Sequence, residues 1–227
     1  MHHLWLAVVC LVLAVVFIAV EHEEHYLAAD VIKGCASLCF VVLGLLGYLE
    51  APANVSQAYR GLILAGLAVG ALADVVLNLR YCFEGKKGQI AFLAGILVFL
   101  CGHVLYLLAL LQVCMMPYIF VGIGLVLTGI LMAWIFRNID AGPAFKLFGI
   151  FYIGAITVMN CVAFGALITR FSMHSFMFCC GALLFFVSDL ILILNTFGPE
   201  QRFTWRCANL MLYYVGQLFI ALSLQAL

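Results

Sequence analysis

Two aspartates stand inside stretches that are otherwise almost wholly apolar: Asp74, in the run that begins at Leu62, and Asp189, in the run that begins at Gly181. An Asp at the centre of a membrane-spanning helix costs about 2.5–3.5 kcal/mol on insertion scales. Asn or Ser would hydrogen-bond helices together at lower cost, so two aspartates point beyond structural stapling. Carboxyls in a dry interior suit acid–base chemistry, because burial and a neighbouring negative charge favour the protonated form of one of them. Other polar residues share these stretches. His103 has Tyr106 one turn on, Tyr213, Tyr214 and Gln217 lie together near the C-terminus, and Asn160 sits deep in its own apolar run. Lys33 lies at the start of an apolar segment, and Asn78 and Tyr81 continue the Asp74 stripe. These residues are expected to converge on one interior volume, with the two carboxyls facing each other across a cavity.

The elements that position them follow from composition. The chain of 227 residues is 68% apolar and 9% charged, against roughly 45–50% and 25% in soluble domains. Runs such as Ile90 to Leu111 are apolar nearly all round, which is the pattern of a lipid-embedded helix and not the in–out alternation of a barrel strand. A span needs about 20 helical residues. The chain therefore reads as an all-α polytopic membrane protein, a single domain over 1–227 with about eight transmembrane helices near 3–20, 30–49, 58–80, 88–112, 117–136, 145–169, 173–197 and 203–226. With about 1.5 Å of rise per residue, Asp74 and Asp189 both lie roughly 9–12 Å inside the same end of the bundle. Gly66 and Gly70 precede Asp74 at four-residue spacing, a face suited to close helix packing.

Orientation comes from the basic residues. Eight of the ten, Lys33, Arg80, Lys86, Lys87, Arg137, Lys146, Arg202 and Arg206, fall at the ends of spans joined by loops one, three, five and seven. That places the odd loops in the cytosol and both termini opposite. The stretch from Ala73 to Leu79 also echoes that from Ser188 to Leu194, and with four helices between them the two run in the same direction, as in a parallel four-plus-four repeat.

Several classes are excluded or disfavoured. The formal charge is zero and no basic cluster resembles a nucleic-acid surface. The ten cysteines lie mostly within apolar runs without C-x-x-C spacing, and read as small buried hydrophobes. The segment Glu21 to His25 lacks helical H-E-x-x-H spacing and reads as a solvated loop, not a metal site. The first apolar run has no basic region before it and no cleavage signal before Glu21, so it reads as a span, and His2 and His3 read as ordinary terminal residues.

Four stretches together resemble the YhhN-like lysoplasmalogenase family: Gly70 to Asp74; Gly102 to Tyr106; Gly181 to Asp189 with Asn195 to Phe197; and Tyr213 to Leu218. The likeness also takes in Lys33 to Cys35, and so runs from the second helix to the eighth. The Ser188-Asp189 and Tyr213-Tyr214-x-x-Gln217 stretches are its most specific parts. Ala73 stands where family members usually carry Gly. The resemblance implies an eight-helix enzyme, needing no metal or organic cofactor, that hydrolyses the vinyl ether of lysoplasmalogen to a fatty aldehyde and glycerophosphocholine or glycerophosphoethanolamine. It implies Asp74 and Asp189 as catalytic groups. The partners are then a lysophospholipid substrate and membrane lipids, with no nucleic acid; nothing in the sequence fixes an oligomeric state. The membrane is that of the endoplasmic reticulum in a eukaryote, or the inner membrane in a bacterium.

A vinyl ether is cleaved by acid. One carboxyl protonates the outer alkene carbon and an ionised partner stabilises the resulting oxocarbenium ion, as carboxylate pairs do in glycosidases. The more uniformly apolar surroundings of Asp189 favour it as the acid. His103 is a candidate proton shuttle, Asn78, Tyr106, Asn160, Tyr213, Tyr214 and Gln217 are candidate supporting residues, and Lys33, read as lying at the cytosolic rim, is the candidate phosphate holder. The rival reading is a proton-coupled carrier of a small molecule or lipid, which also needs buried charges. Against it, Pro52, Pro117, Pro143 and Pro199 all lie near span ends, leaving the spans unbroken.

Overall fold

The structure is a computed structural model that describes residues 3–227; His2 lies outside them. Among these described residues eight helices follow one another: α1 (Leu4–His22), α2 (Tyr26–Glu50), α3 (Gln57–Asn78), α4 (Gly85–Val113), α5 (Pro117–Asn138), α6 (Pro143–Thr169), α7 (Met173–Phe197) and α8 (Phe203–Ser223). Short 3-10 turns, Leu79–Cys82 and Leu224–Ala226, extend α3 and α8. With these turns, each span has 19 to 29 residues and is apolar enough to cross a membrane. Side chains such as Val8, Val12, Val126, Ile130 and Leu183 point outward, as lipid requires, and a minority of polar side chains, Lys33, Asp74, His103 and Asp189 among them, is buried within an apolar core.

The ends of the helices obey local rules. Pro117 and Pro143 open α5 and α6, where a missing N–H costs nothing. Ser56 caps α3 by accepting from the Tyr59 N–H. Ser172 and Ser175 exchange side chain to backbone bonds at the start of α7. The first connection is tighter than the sequence suggested. Glu24 takes φ 63°, turning the chain in a few residues, so α2 begins at Tyr26 and not near 30. Lys33 is therefore two turns inside its helix.

Six helices close a ring in the order α2, α3, α4, α6, α7, α8, with α8 returning to α2. Outside it, α1 leans on α2 and α8, and α5 leans on α6. This arrangement repeats: α1 to α4 relate to one another as α5 to α8 do, with α8 on α2 matching α4 on α6. Tyr59 and His174, 115 residues apart at the starts of α3 and α7, touch side chain to side chain. The same offset joins Asp74 to Asp189. Two glycine crossings are related in nearly the same way, Gly66 to Gly181 by 115 residues and Gly102 to Gly216 by 114. A Cβ on Gly181 would lie 2.6 Å from the Gly216 carbonyl oxygen where α7 crosses α8, and Gly102 lies against the Gly66 carbonyl where α4 crosses α3. The close backbone approach at each crossing is what small residues permit in a membrane bundle. It brings α4 to Asp74's helix and α8 to Asp189's helix.

Candidate active site

Each aspartate has its own set of partners. Asp74 is held on three sides: Lys33 Nζ lies 3.3 Å from Oδ1, and the Ser37 and Tyr213 hydroxyls each donate to Oδ2 at 2.6 Å. Tyr213 in turn accepts from Gln217 Nε2 at 3.3 Å, and Gln217 Oε1 accepts from the Tyr106 hydroxyl at 3.2 Å. Tyr214 donates to the Lys33 carbonyl at 3.4 Å, fixing α8 to α2 beside the ion pair. Three donors, one of them cationic, are the surroundings of an ionised carboxylate.

Asp189 is held more sparsely. The Tyr152 hydroxyl donates to its Oδ2 at 2.5 Å. His103 Nε2 stands 3.4 Å from the same hydroxyl and 3.9 Å from the carboxyl. Next to it, Ser188 donates to the Asn209 carbonyl at 2.9 Å while Asn209 Nδ2 donates to the Ser188 carbonyl at 2.8 Å, which locks α7 to α8. Ser37 and Tyr152 occupy matching places in the two halves, each 37 residues before the aspartate it serves. The two stations are thus built on one plan and filled differently. One carries a lysine; the other carries a neutral phenol and an imidazole.

The expected open volume between the carboxyls is occupied. Phe185 packs edge-on against His103 at 4.8 Å and against Tyr213 at 5.1 Å, and Phe99 packs against both Phe185 and Tyr213. An aromatic layer thus joins the stations where a cavity was anticipated. Space lies elsewhere. A narrow apolar slot of about 50 Å³ runs between α4, α5, α6 and α7 and reaches Phe99 and Tyr152. It shares Phe92, Phe145, Leu192 and Phe197 with a polar cavity of about 410 Å³ at the basic end of the bundle, lined also by Arg80, Asn195, Arg206 and Asn209.

Of the residues picked from sequence, Lys33, Asp74, Tyr213, Gln217 and Tyr106 join one network, Tyr214 braces it, and His103 and Asp189 form the second station. Asn78 is fully buried one turn after Asp74, and its amide has no hydrogen-bond partner among the described residues. Two placements need correction. Asn160 does not join either station: its amide bonds back to the Ile156 carbonyl, and it lines an apolar groove between α5, α6 and α7 instead. The reason is helical phase, since Asn160 lies two turns beyond Tyr152 on a different face of α6. Lys33 is not at the rim, because α2 starts a turn earlier than its sequence suggested and Asp74 claims the ammonium group.

The acidic segment also differs from expectation. Glu21 belongs to the last turn of α1 and chelates the Arg206 guanidinium, at 3.0 Å to Nε and 2.7 Å to Nη2, while His22 stacks on Phe203. Among the cysteines, Cys10, Cys39 and Cys114 are buried, whereas Cys35 and Cys101 face outward. Ser37, Tyr152 and Asn209 went unread because single hydroxyls and amides in apolar helices are common. The 115-residue offset is the one signal that would have marked Ser37 and Tyr152. Asp30, a third buried carboxyl one turn before Lys33, was not singled out from the sequence.

No curated protein and no solved structure matches the chain. The YhhN family pattern, by contrast, matches residues 28–224, which takes in both stations and every helix of the ring, and the chain belongs to the YhhN family, which includes lysoplasmalogenases.

Proposed function

We propose that this protein hydrolyses the vinyl ether of lysoplasmalogens, with Asp189 as the general acid and Asp74 as a fixed negative charge. The observation that carries the reading is the unequal equipment of two carboxyls at matching positions. Asp74 has a lysine and two hydroxyl donors and serves as a charge. Asp189 has a single neutral donor beside an apolar slot, the setting in which a carboxyl keeps its proton. Family membership supports the substrate class.

In this scheme the Asp189 proton moves to the outer alkene carbon, whose π electrons form the new C–H bond. The adjacent carbon becomes an oxocarbenium ion, opposed through a low-dielectric interior by the Asp74 charge. Water adds to that carbon, and its proton returns to Asp189. The hemiacetal then collapses: the bond to the glycerol oxygen breaks, the hydroxyl proton passes to that oxygen, and the aldehyde and glycerophosphocholine or glycerophosphoethanolamine leave. Tyr152 holds Asp189 in place, and His103, 3.4 Å from the Tyr152 hydroxyl and 3.9 Å from the carboxyl, serves as a proton relay beside them.

The test is turnover of lysoplasmalogen by the purified protein in lipid nanodiscs, reading free aldehyde. Aldehyde in stoichiometric yield with glycerophosphocholine or glycerophosphoethanolamine is expected. Its absence from folded protein, with lysoplasmalogen bound or carried but intact, would remove the reaction and favour a carrier.

A further inference from the structure

The cavity at the basic end holds two arginines with different commitments. Arg206 is engaged by Glu21 through two hydrogen bonds. Arg80 has no carboxylate partner among the described residues. One of its terminal nitrogens donates to the Tyr81 hydroxyl at 2.7 Å, its Nε is buried and unbonded, and its guanidinium lies 4.3 Å from the Phe92 ring centre and 4.6 Å from that of Tyr81. A guanidinium steadied by two aromatic rings, with donors left over, is suited to an oxyanion, and its planar fork matches phosphate. Phe92, Phe145 and Phe197, packed on one another with ring centres 5.2–5.9 Å apart, line both this cavity and the apolar slot that reaches Tyr152, the donor to Asp189. Arg80 lies six residues beyond Asp74, about 9 Å along the helix axis. A charged mouth thus stands above a dry channel.

We propose that Arg80 binds the phosphate of a single-chain phospholipid whose glycerol and first chain carbons descend into the slot. This deepens the lysoplasmalogenase reading and rests on it for the identity of the chain. It also assigns the phosphate to a residue other than Lys33, whose ammonium is taken by Asp74.

The experiment measures binding to the full chain in nanodiscs with two probes that cannot be hydrolysed, a saturated alkyl lysophosphocholine and the alkylglycerol of the same chain. Glycerophosphocholine and inorganic phosphate serve as chainless competitors. A charge-assisted contact of this kind corresponds to about 10- to 100-fold in affinity. The wild-type protein should prefer the phosphocholine ether by that factor, and Arg80→Gln should lose the preference while binding the alkylglycerol as before. Equal wild-type affinity for the two probes, or a preference kept by Arg80→Gln, overturns the site. Inorganic phosphate competing as strongly as the lipid would make it a general anion site and overturn the lipid assignment. If Arg80→Gln binds neither probe, Arg80→Lys decides, because it keeps the charge and loses the fork: unchanged phosphocholine ether affinity overturns the proposal, and about tenfold weakening supports it. Neither probe contains a vinyl ether, so the outcome is independent of hydrolysis. Turnover without phosphate discrimination removes the site and leaves the reaction; the converse leaves the site alone.

Discussion

Lys33 Nζ faces Asp74 Oδ1 at 3.3 Å with 2% of each side chain exposed, so neither charge has water to fall back on. Removing one member strands the other. Lys33→Met should destabilise the bundle by about 3–5 kcal/mol, the usual result of breaking a buried ion pair. The double variant Lys33→Met Asp74→Asn should recover much of that loss, since it leaves no lone ion. Thermal unfolding of the three proteins in one detergent checks this. A single variant as stable as wild type would mean the pair is solvated and not buried.

Asp189 has no such counter-ion. Asp189→Asn keeps the shape and a partner for Tyr152, so it should fold at near wild-type stability. Its turnover should fall by about 10²- to 10⁴-fold, the contribution of general acid catalysis. The charge of Asp74 is best tested in the Lys33→Met Asp74→Asn background, where a loss of about tenfold or more, roughly 1.4 kcal/mol of barrier, is expected. Wild-type rates in Asp189→Asn would sink the acid assignment and leave the fold untouched.

The spans were legible because bilayer thickness and composition dictate them almost without regard to tertiary contacts. Asp74 and Asp189 were legible because the cost of placing them in lipid makes them conspicuous. The rest of the site depended on register. Ser37 and Tyr152 are ordinary residues until the helices that carry them are docked, and Lys33 shifted from rim to interior when the first turn tightened at Glu24. Asn160 misled for a related reason: at membrane depth an amide can satisfy itself on its own helix, as it does on the Ile156 carbonyl. The aromatic layer of Phe99 and Phe185 was hidden among the chain's 19 phenylalanines, which offer no clue from type alone as to which ones face inward.

Loops one, three, five and seven meet at one end of the bundle, where Tyr26 stacks on Tyr81 and the Asp140 N–H donates to the Phe197 carbonyl. The basic residues gathered there should make that end cytosolic. Reporter fusions at the C-terminus should therefore register the non-cytosolic side, and a tag in the segment 83–88 the cytosol. A cytosolic C-terminus would turn the polar cavity, and with it the route for the phosphate, to the other face of the membrane.

The pH dependence of turnover carries the sign of each role. An acid that must be protonated loses activity as pH rises through its titration, because the proton it donates is gone. A carboxylate that must be ionised loses activity as pH falls through its own, because the opposing charge is neutralised. With Asp189 as the acid and Asp74 as the charge, the wild-type profile should be bell-shaped, and its two limbs should report the coupled pair and not either residue alone. Lys33→Met Asp74→Asn removes the carboxylate that must be ionised, so the acidic limb should flatten while the alkaline limb, set by Asp189, persists. Proton transfer to carbon is the demanding step, and turnover should slow in deuterated water when it limits the rate. The deciding measurement is the profile of the double variant under conditions where binding is saturated. An acidic limb that survives there, with the alkaline limb lost, would exchange the two roles and make Asp74 the acid. That outcome would be hard to reconcile with the lysine and two hydroxyls that surround it.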